Sequence, residues 1–123
     1  MIIGVGIDII EVERIKKAIE TYGEHFLKRI FTENEIKYCE EFKDKKYVHY
    51  AVRFSAKEAF SKAIGTGITQ GFKFNQVGIL NESSGKPVVA LSGELLEKWG
   101  KYRIYVSLSH INETAASVVI IEE

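Results

Sequence analysis

The chain has little of what would mark it at a glance. Only one cysteine, Cys39, occurs in 123 residues. No internal disulfide can form, and the chain suits a reducing compartment, with the cytoplasm as the default location. No charge of one sign dominates, since 17 Lys and Arg face 17 Asp and Glu. A general nucleic-acid role needs a basic excess and is not expected, although a local basic patch for a small anion stays open. No apolar run approaches the roughly 20 residues of a membrane-crossing helix, so no membrane partner is expected. The apolar start, Met1 to Ile10, has neither a basic leader nor a small-residue cleavage site, and it reads as a strand rather than a signal peptide. There is one proline, and no repeat, linker or low-complexity stretch. Residues 1–123 therefore read as a single domain. With 46% hydrophobic and 28% charged residues, it is a globular domain with a modest core.

In the first strand, Ile3, Val5, Ile7 and Ile9 alternate with Gly4, Gly6, Asp8 and Ile10. One face is heavy and apolar; the other is bare, so something can approach its backbone closely. Asp8 stands on the bare face. A carboxylate in so apolar a run must be hydrogen-bonded, paired or metal-bound, or else it sits near the strand end and caps the next helix. The Gly4-x-Gly6 pair invites a dinucleotide-binding reading, but Ile9 occupies the place of the third glycine and that motif fails.

The most informative stretch runs from Arg53 to Gly67. Phe54, Ala56, Ala59, Phe60, Ala63 and Ile64 recur at helical spacing, and Gly65 follows as a left-handed cap. The helix starts near Tyr47. Its charged residues are therefore held on a well-anchored rod, with Glu58 facing Lys62 four residues on. His49, Arg53 and Lys57 form a row along one face that suits a phosphate, where an ordinary solvated face is the simpler alternative.

Other elements are plainer. Glu11 to Tyr22 reads as an amphipathic helix carrying Arg14 outward, with Gly23 as its stop. His25 to Ile30 is a short helical piece. Thr32 and Glu35 make a capping box for a helix to about Phe42 that carries Cys39 as a small filler. Gly71 to Ile79 and Pro87 to Leu91 alternate as two strands of a hairpin. Ser92 caps a helix that runs through Trp99 and is closed by Gly100. Arg103 to Ser109 and Thr114 to Ile121 are strands, the last nearly all apolar and so central. Mixed helices and hairpins of this kind predict an α+β fold with an antiparallel sheet packed against helices. Ser107-Leu108-Ser109-His110 invites a hydrolase reading. Neighbouring strand residues point apart, however, and no nucleophile elbow is present; a polar strand end that holds an anion fits better.

Three separated pieces now combine: Gly6-Ile7-Asp8-Ile9, the run from Arg53-Phe54-Ser55-Ala56-Lys57-Glu58-Ala59 to Ala63, and Ser107-Leu108-Ser109-His110. Their order and spacing resemble the bacterial 4'-phosphopantetheinyl transferases of the holo-[acyl-carrier-protein] synthase type. The resemblance spans Met1 to Ile121 and includes Gly65-Thr66-Gly67 and Gly85-Lys86-Pro87. It implies transfer of the phosphopantetheine arm of coenzyme A to a serine of an acyl carrier protein, with release of adenosine 3',5'-bisphosphate. It implies Mg²⁺ held by Asp8 and Glu58, a sparse ligand set of the kind this ion accepts. Lys62 would stabilise the leaving phosphate, and Arg53 and His110 would bind phosphates of coenzyme A. Lys57 becomes a second phosphate or proton-transfer candidate. Gly65 and Thr66 would lie near the nucleotide, and Arg14 would face the acidic carrier. For the base that takes the serine proton, Glu58 and a water on the metal both remain open. The family also implies a homotrimer with sites between subunits. A metal-free module that binds a phosphate ligand through the same basic face is the competing class.

Overall fold

The computed structural model describes residues 1–69 and 71–123. Helix α4 (Lys46–Ala63) lies across a three-stranded antiparallel sheet of order β1 (Ile2–Glu11), β5 (Thr114–Glu122) and β4 (Arg103–His110). The nearly all-apolar β5 is the middle strand, as its composition predicts. Helices α1 (Val12–Tyr22), α2 (Glu24–Ile30) and α3 (Glu33–Glu40) follow β1 and pack beside the first half of α4. A separate hairpin of β2 (Val77–Asn81) and β3 (Pro87–Leu91), with the short helix α5 (Gly93–Trp99), closes over its second half. The architecture is α+β, with antiparallel pairing throughout.

The glycines of β1 decide how the helix meets the sheet. Gly4, Gly6, Asp8 and Ile10 face α4, and a Cβ at Gly4 or Gly6 would run into the backbone carbonyls of Ala63 and Ala59. The helix answers with alanines: Ala56, Ala59 and Ala63 are buried along that face. Bare strand against small-residue helix brings two backbones together, the close approach that the alternation foretold. Phe60, Val119 and Ile121 fill the space alongside and are fully buried. Each contributes on the order of 1.5–3 kcal/mol by leaving water.

The heavy face of β1 has the opposite fate. Val5, Ile7 and Ile9 remain 59, 68 and 70% exposed. They pair in register with Ile120, Val118 and Ala116 of β5, and Ile120 lies opposite Tyr105 of β4. The outer side of the sheet is thus apolar along β1 and β5, and it is bordered on β4 by Tyr105, Ser107 and Ser109.

Two local expectations give way. The strand predicted from Gly71 forms only from Val77; Phe74–Gln76 is a 3₁₀ turn. Phe72 and Phe74 pack edge-on against each other, and Phe74 stacks on Phe54 of α4. These aromatics are held by side-chain packing rather than by a strand partner, which is why alternation misread them. Ser92 does stand at the N-cap of α5, but its hydroxyl makes no capping bond. The Thr32–Glu35 capping box forms as read.

Candidate active site

Asp8 and Glu58 converge between β1 and α4. Asp8 is brought in by the strand after its two glycines and is only 7% exposed. Its carbonyl accepts a bond from Ser55 Oγ at 3.1 Å, and that hydroxyl shares a second bond of 2.8 Å with Ser117 on β5. Two buried serines therefore tie the Asp8 backbone to both the helix and the middle strand. Lys62 Nζ donates to Asp8 Oδ1 at 3.2 Å and to the Ile7 carbonyl at 2.9 Å. The expected Glu58–Lys62 pair along the helix is not formed, because the strand offers Lys62 two oxygens at once. Asp8 does not cap α1; Glu11 stands at that N-cap.

The Asp8 carboxylate bears on its neighbour Glu58. Burial, then a hydrogen bond and the charge of Asp8, push the Glu58 carboxyl up to about 7, against the pull of Lys62 and Arg14. With both groups ionised there is no proton to share, and Asp8 Oδ2 is buried without a partner among the described residues. A proton or a cation must fill that gap. No group of three or more His, Cys, Asp and Glu side chains gathers among the described residues. A pair of hard carboxylates with one unspent buried oxygen fits Mg²⁺, which keeps most of its positions for water and phosphate. It does not fit a closed zinc site. Arg14 is exposed on α1 and lies within electrostatic reach of Glu58.

The basic residues gather elsewhere. Arg53, His49, His110, Tyr38, Asn81 and Lys86 help to line a cavity of about 430 Å³ between α4, β4 and the β2–β3 turn. Arg53 is 2% exposed. Its guanidinium lies 4.3 Å from the Tyr38 ring centre and donates to Asn81 Oδ1 and, at 3.5 Å, to the His49 carbonyl. Its Nε has no partner among the described residues, leaving a buried donor unspent. His49 stacks on Phe42 with ring centres 3.7 Å apart and meets His110 edge-on at 5.8 Å. Burial, together with the neighbouring Arg53 and His110, holds the His49 imidazole down at about 4. This is an uncompensated basic corner suited to an anion. Asp8, Glu58 and Lys62 do not line it. Arg53 and Glu58 stand about 140° apart around the helix, and β1 and β4 are opposite edges of the sheet. Within one chain the two halves thus lie on different flanks of α4.

Lys57 requires correction. It does not continue the phosphate-facing row but turns inward, with no exposed surface. Its three protons go to Glu35 Oε1 at 2.7 Å, Val77 O at 2.6 Å and Phe74 O at 3.2 Å. Burial pushes the ammonium down, and Glu35 pulls it back. A lysine so enclosed can neither reach a phosphate nor pass a proton to substrate. Gly65, with φ of 87°, and Thr66 follow the end of α4, where the Gly65 amide donates to the Lys62 carbonyl at 3.0 Å. The Thr66 hydroxyl donates locally, to Gly67 O at 3.1 Å. Sequence reasoning missed Asn81 as the partner of Arg53 and Glu35 as the partner of Lys57. They lie 28 and 22 residues away, and no local pattern links such distances.

Comparison with known proteins places these features in a family. A model described as the 4'-phosphopantetheinyl transferase superfamily matches residues 4–119. A holo-[acyl-carrier-protein] synthase from Ruminiclostridium cellulolyticum is 51% identical over 119 residues, covering 94% of this chain and 89% of that protein. One from Protochlamydia amoebophila is 43% identical and covers 98% of each chain. Among solved structures, the Bacillus anthracis holo-(acyl-carrier-protein) synthase in complex with CoA (3',5'-ADP) is 39% identical, with a TM-score of 0.84 over 100% of this chain and 98% of that one. The Helicobacter pylori synthase in complex with coenzyme A is 30% identical, with a TM-score of 0.84 over 96% and 99%.

Proposed function

The chain belongs to the 4'-phosphopantetheinyl transferase superfamily, and from that premise we propose that it moves the phosphopantetheine arm of coenzyme A onto a serine of an apo acyl carrier protein. The reaction depends on Mg²⁺ and releases adenosine 3',5'-bisphosphate. The observation that carries this reading is the buried, unpartnered Asp8 Oδ2 beside a Glu58 whose carboxyl is pushed up to about 7. The coenzyme A and 3',5'-ADP complexes of similar proteins support the choice of donor.

Asp8 and Glu58 would hold the Mg²⁺, which when bound offsets the charge of the diphosphate and acts as a Lewis acid. The serine oxygen forms a bond to the phosphorus nearer the pantetheine. The bridging P–O bond breaks, its electron pair leaves with adenosine 3',5'-bisphosphate, and the serine proton passes to a base. Lys62 has a side chain 51% exposed. It can turn its ammonium from Asp8 to the leaving phosphate and stabilise the charge that develops there. Arg53, with a buried donor still free, and His110 suit a phosphate of the adenosine end. Gly65 and Thr66, one turn beyond Lys62, would lie beside the nucleotide. Arg14, close enough to be felt by Glu58, suits the acidic carrier.

The same reading includes a homotrimer with its sites between subunits. Two observations support it. The outer face of the sheet is apolar and open, with Val5, Ile7 and Ile9 at 59–70% exposure, and such a face calls for a partner. The carboxylate pair and the basic cavity lie on separate flanks of α4, so a neighbouring copy is needed to bring one against the other. Incubation of an apo carrier protein with coenzyme A and Mg²⁺, followed by mass spectrometry of the carrier, tests the activity. The expected result is one phosphopantetheine per carrier, abolished by chelation of the metal. A carrier whose mass never changes, or a gain indifferent to Mg²⁺, would overturn the proposal.

A further inference from the structure

Outside the site, one group of charges is enclosed more completely than any function so far requires. Lys57 and Glu35 are 0% and 1% exposed. Glu35 Oε1 accepts from Lys57 and, at 2.9 Å, from the Thr32 amide; Oε2 accepts from the Ile79 amide at 2.8 Å. Lys57 holds the carbonyls of Phe74 and Val77 in addition. The pair thus grips β2 at Val77 and again at Ile79. Two residues further along the same strand, Asn81 meets the Arg53 guanidinium. Asn81 Nδ2 also donates to Gly85 O at 3.0 Å, which shapes the turn that reaches the basic cavity. Arg53 and Lys57 are one helical turn apart on α4, so helix and strand are joined at two neighbouring points.

We propose that the buried Lys57–Glu35 pair is a positioning device for coenzyme A binding: it sets the height of β2 against α4, so that Asn81 orients Arg53 toward the anion. The proposal rests on the transferase reading for the identity of that anion. Removing a buried ion pair in favour of neutral side chains is often tolerated by a fold. The loss here falls on the strand instead, because the carbonyls of Phe74 and Val77 lose their donor.

The test uses the full-length protein and three variants: Asn81→Ala, the neutralised double Glu35→Gln/Lys57→Met, and the two combined. Coenzyme A affinity is measured by calorimetry, KM and kcat by carrier modification, and folding by circular dichroism and thermal melts. The double variant should weaken coenzyme A binding and raise its KM at least tenfold, with kcat at saturation within threefold of the parent. Combined with Asn81→Ala it should add almost nothing, since both changes release the same guanidinium. Should the double fail to fold, Glu35→Asp, which keeps the charge but shortens the reach, carries the same expectations. Unchanged coenzyme A affinity in a folded variant, or fully additive losses, would overturn the proposal and leave the pair with stability alone. If the parent itself binds no coenzyme A, the transferase reading falls and takes this proposal with it.

Discussion

Replacing Gly6 by alanine should loosen the molecule at the point where its helix and first strand touch. The new Cβ would point at α4 and run into the Ala59 carbonyl oxygen, with Ala63 N at 2.8 Å and the Ala59 carbonyl carbon at 2.9 Å. Ordinary contact begins at 3.4 Å, and these are backbone atoms rather than the ends of flexible side chains. No rotamer change can relieve the clash, so helix and strand must separate. Overpacking of this kind costs typically ~1–3 kcal/mol, and the rigid neighbours place this case at the upper end. For a domain of this size that corresponds to a fall in Tm of about 10 °C. Glu58 is the neighbour of Ala59, so the shift also draws its carboxyl away from Asp8, and divalent-ion affinity should drop together with stability. Thermal melts with and without Mg²⁺, alongside a metal titration, read both effects. A Gly6→Ala protein with the parental Tm and the parental metal affinity would refute the claim that these two backbones are in contact.

Further outcomes follow from the same geometry. In the metal-free protein, folded Glu58 keeps its proton to about pH 7, whereas the unfolded chain releases it near 4.5. The folded state therefore binds more protons in that window, and this group's contribution to stability is lost as pH rises through it. The metal-free parent should lose Tm between pH 4.5 and 7 relative to Glu58→Gln, and a flat difference between the two would contradict the assignment. Arg14→Glu should weaken carrier binding more than coenzyme A binding, with strong salt dependence; equal loss for both substrates would remove Arg14 from the docking surface. Ile7→Lys, on the open face of β1, should break the proposed trimer into monomers in sedimentation and abolish transfer, and an unaltered sedimentation profile would show that this face is not the interface.

Much of this was legible in the sequence because it is local. Alternation with glycines foretold a strand that something approaches closely, and the apolar spacing from Phe54 to Ile64 foretold the helix that does so. The capping box, the glycine stops at residues 23, 65 and 100 and the central position of the last strand are also short-range signals. Asp8, Glu58 and Lys62 stand on two such well-marked elements, but their roles came from the family resemblance rather than from local pattern. What failed was long-range. Nothing near Lys57 says that Glu35 lies across the core, so a helix face that looked uniformly basic was divided, with Arg53 at the cavity and Lys57 sealed inside. The aromatic stretch from Phe72 to Phe74 alternates like a strand yet has no strand to pair with. The periodicity of β1 separates its two faces but does not say which is covered. The side with less to bury is the inner one, since only a bare strand admits a helix so near.

Mn²⁺ binding, followed by the loss of the free-ion paramagnetic resonance signal, tests the central claim most directly. The parent protein should bind the ion, tighten on it when coenzyme A is added, and lose at least tenfold in affinity in both Asp8→Asn and Glu58→Gln. Equal binding by the parent and the two variants would mean that these carboxyl groups do not share a cation.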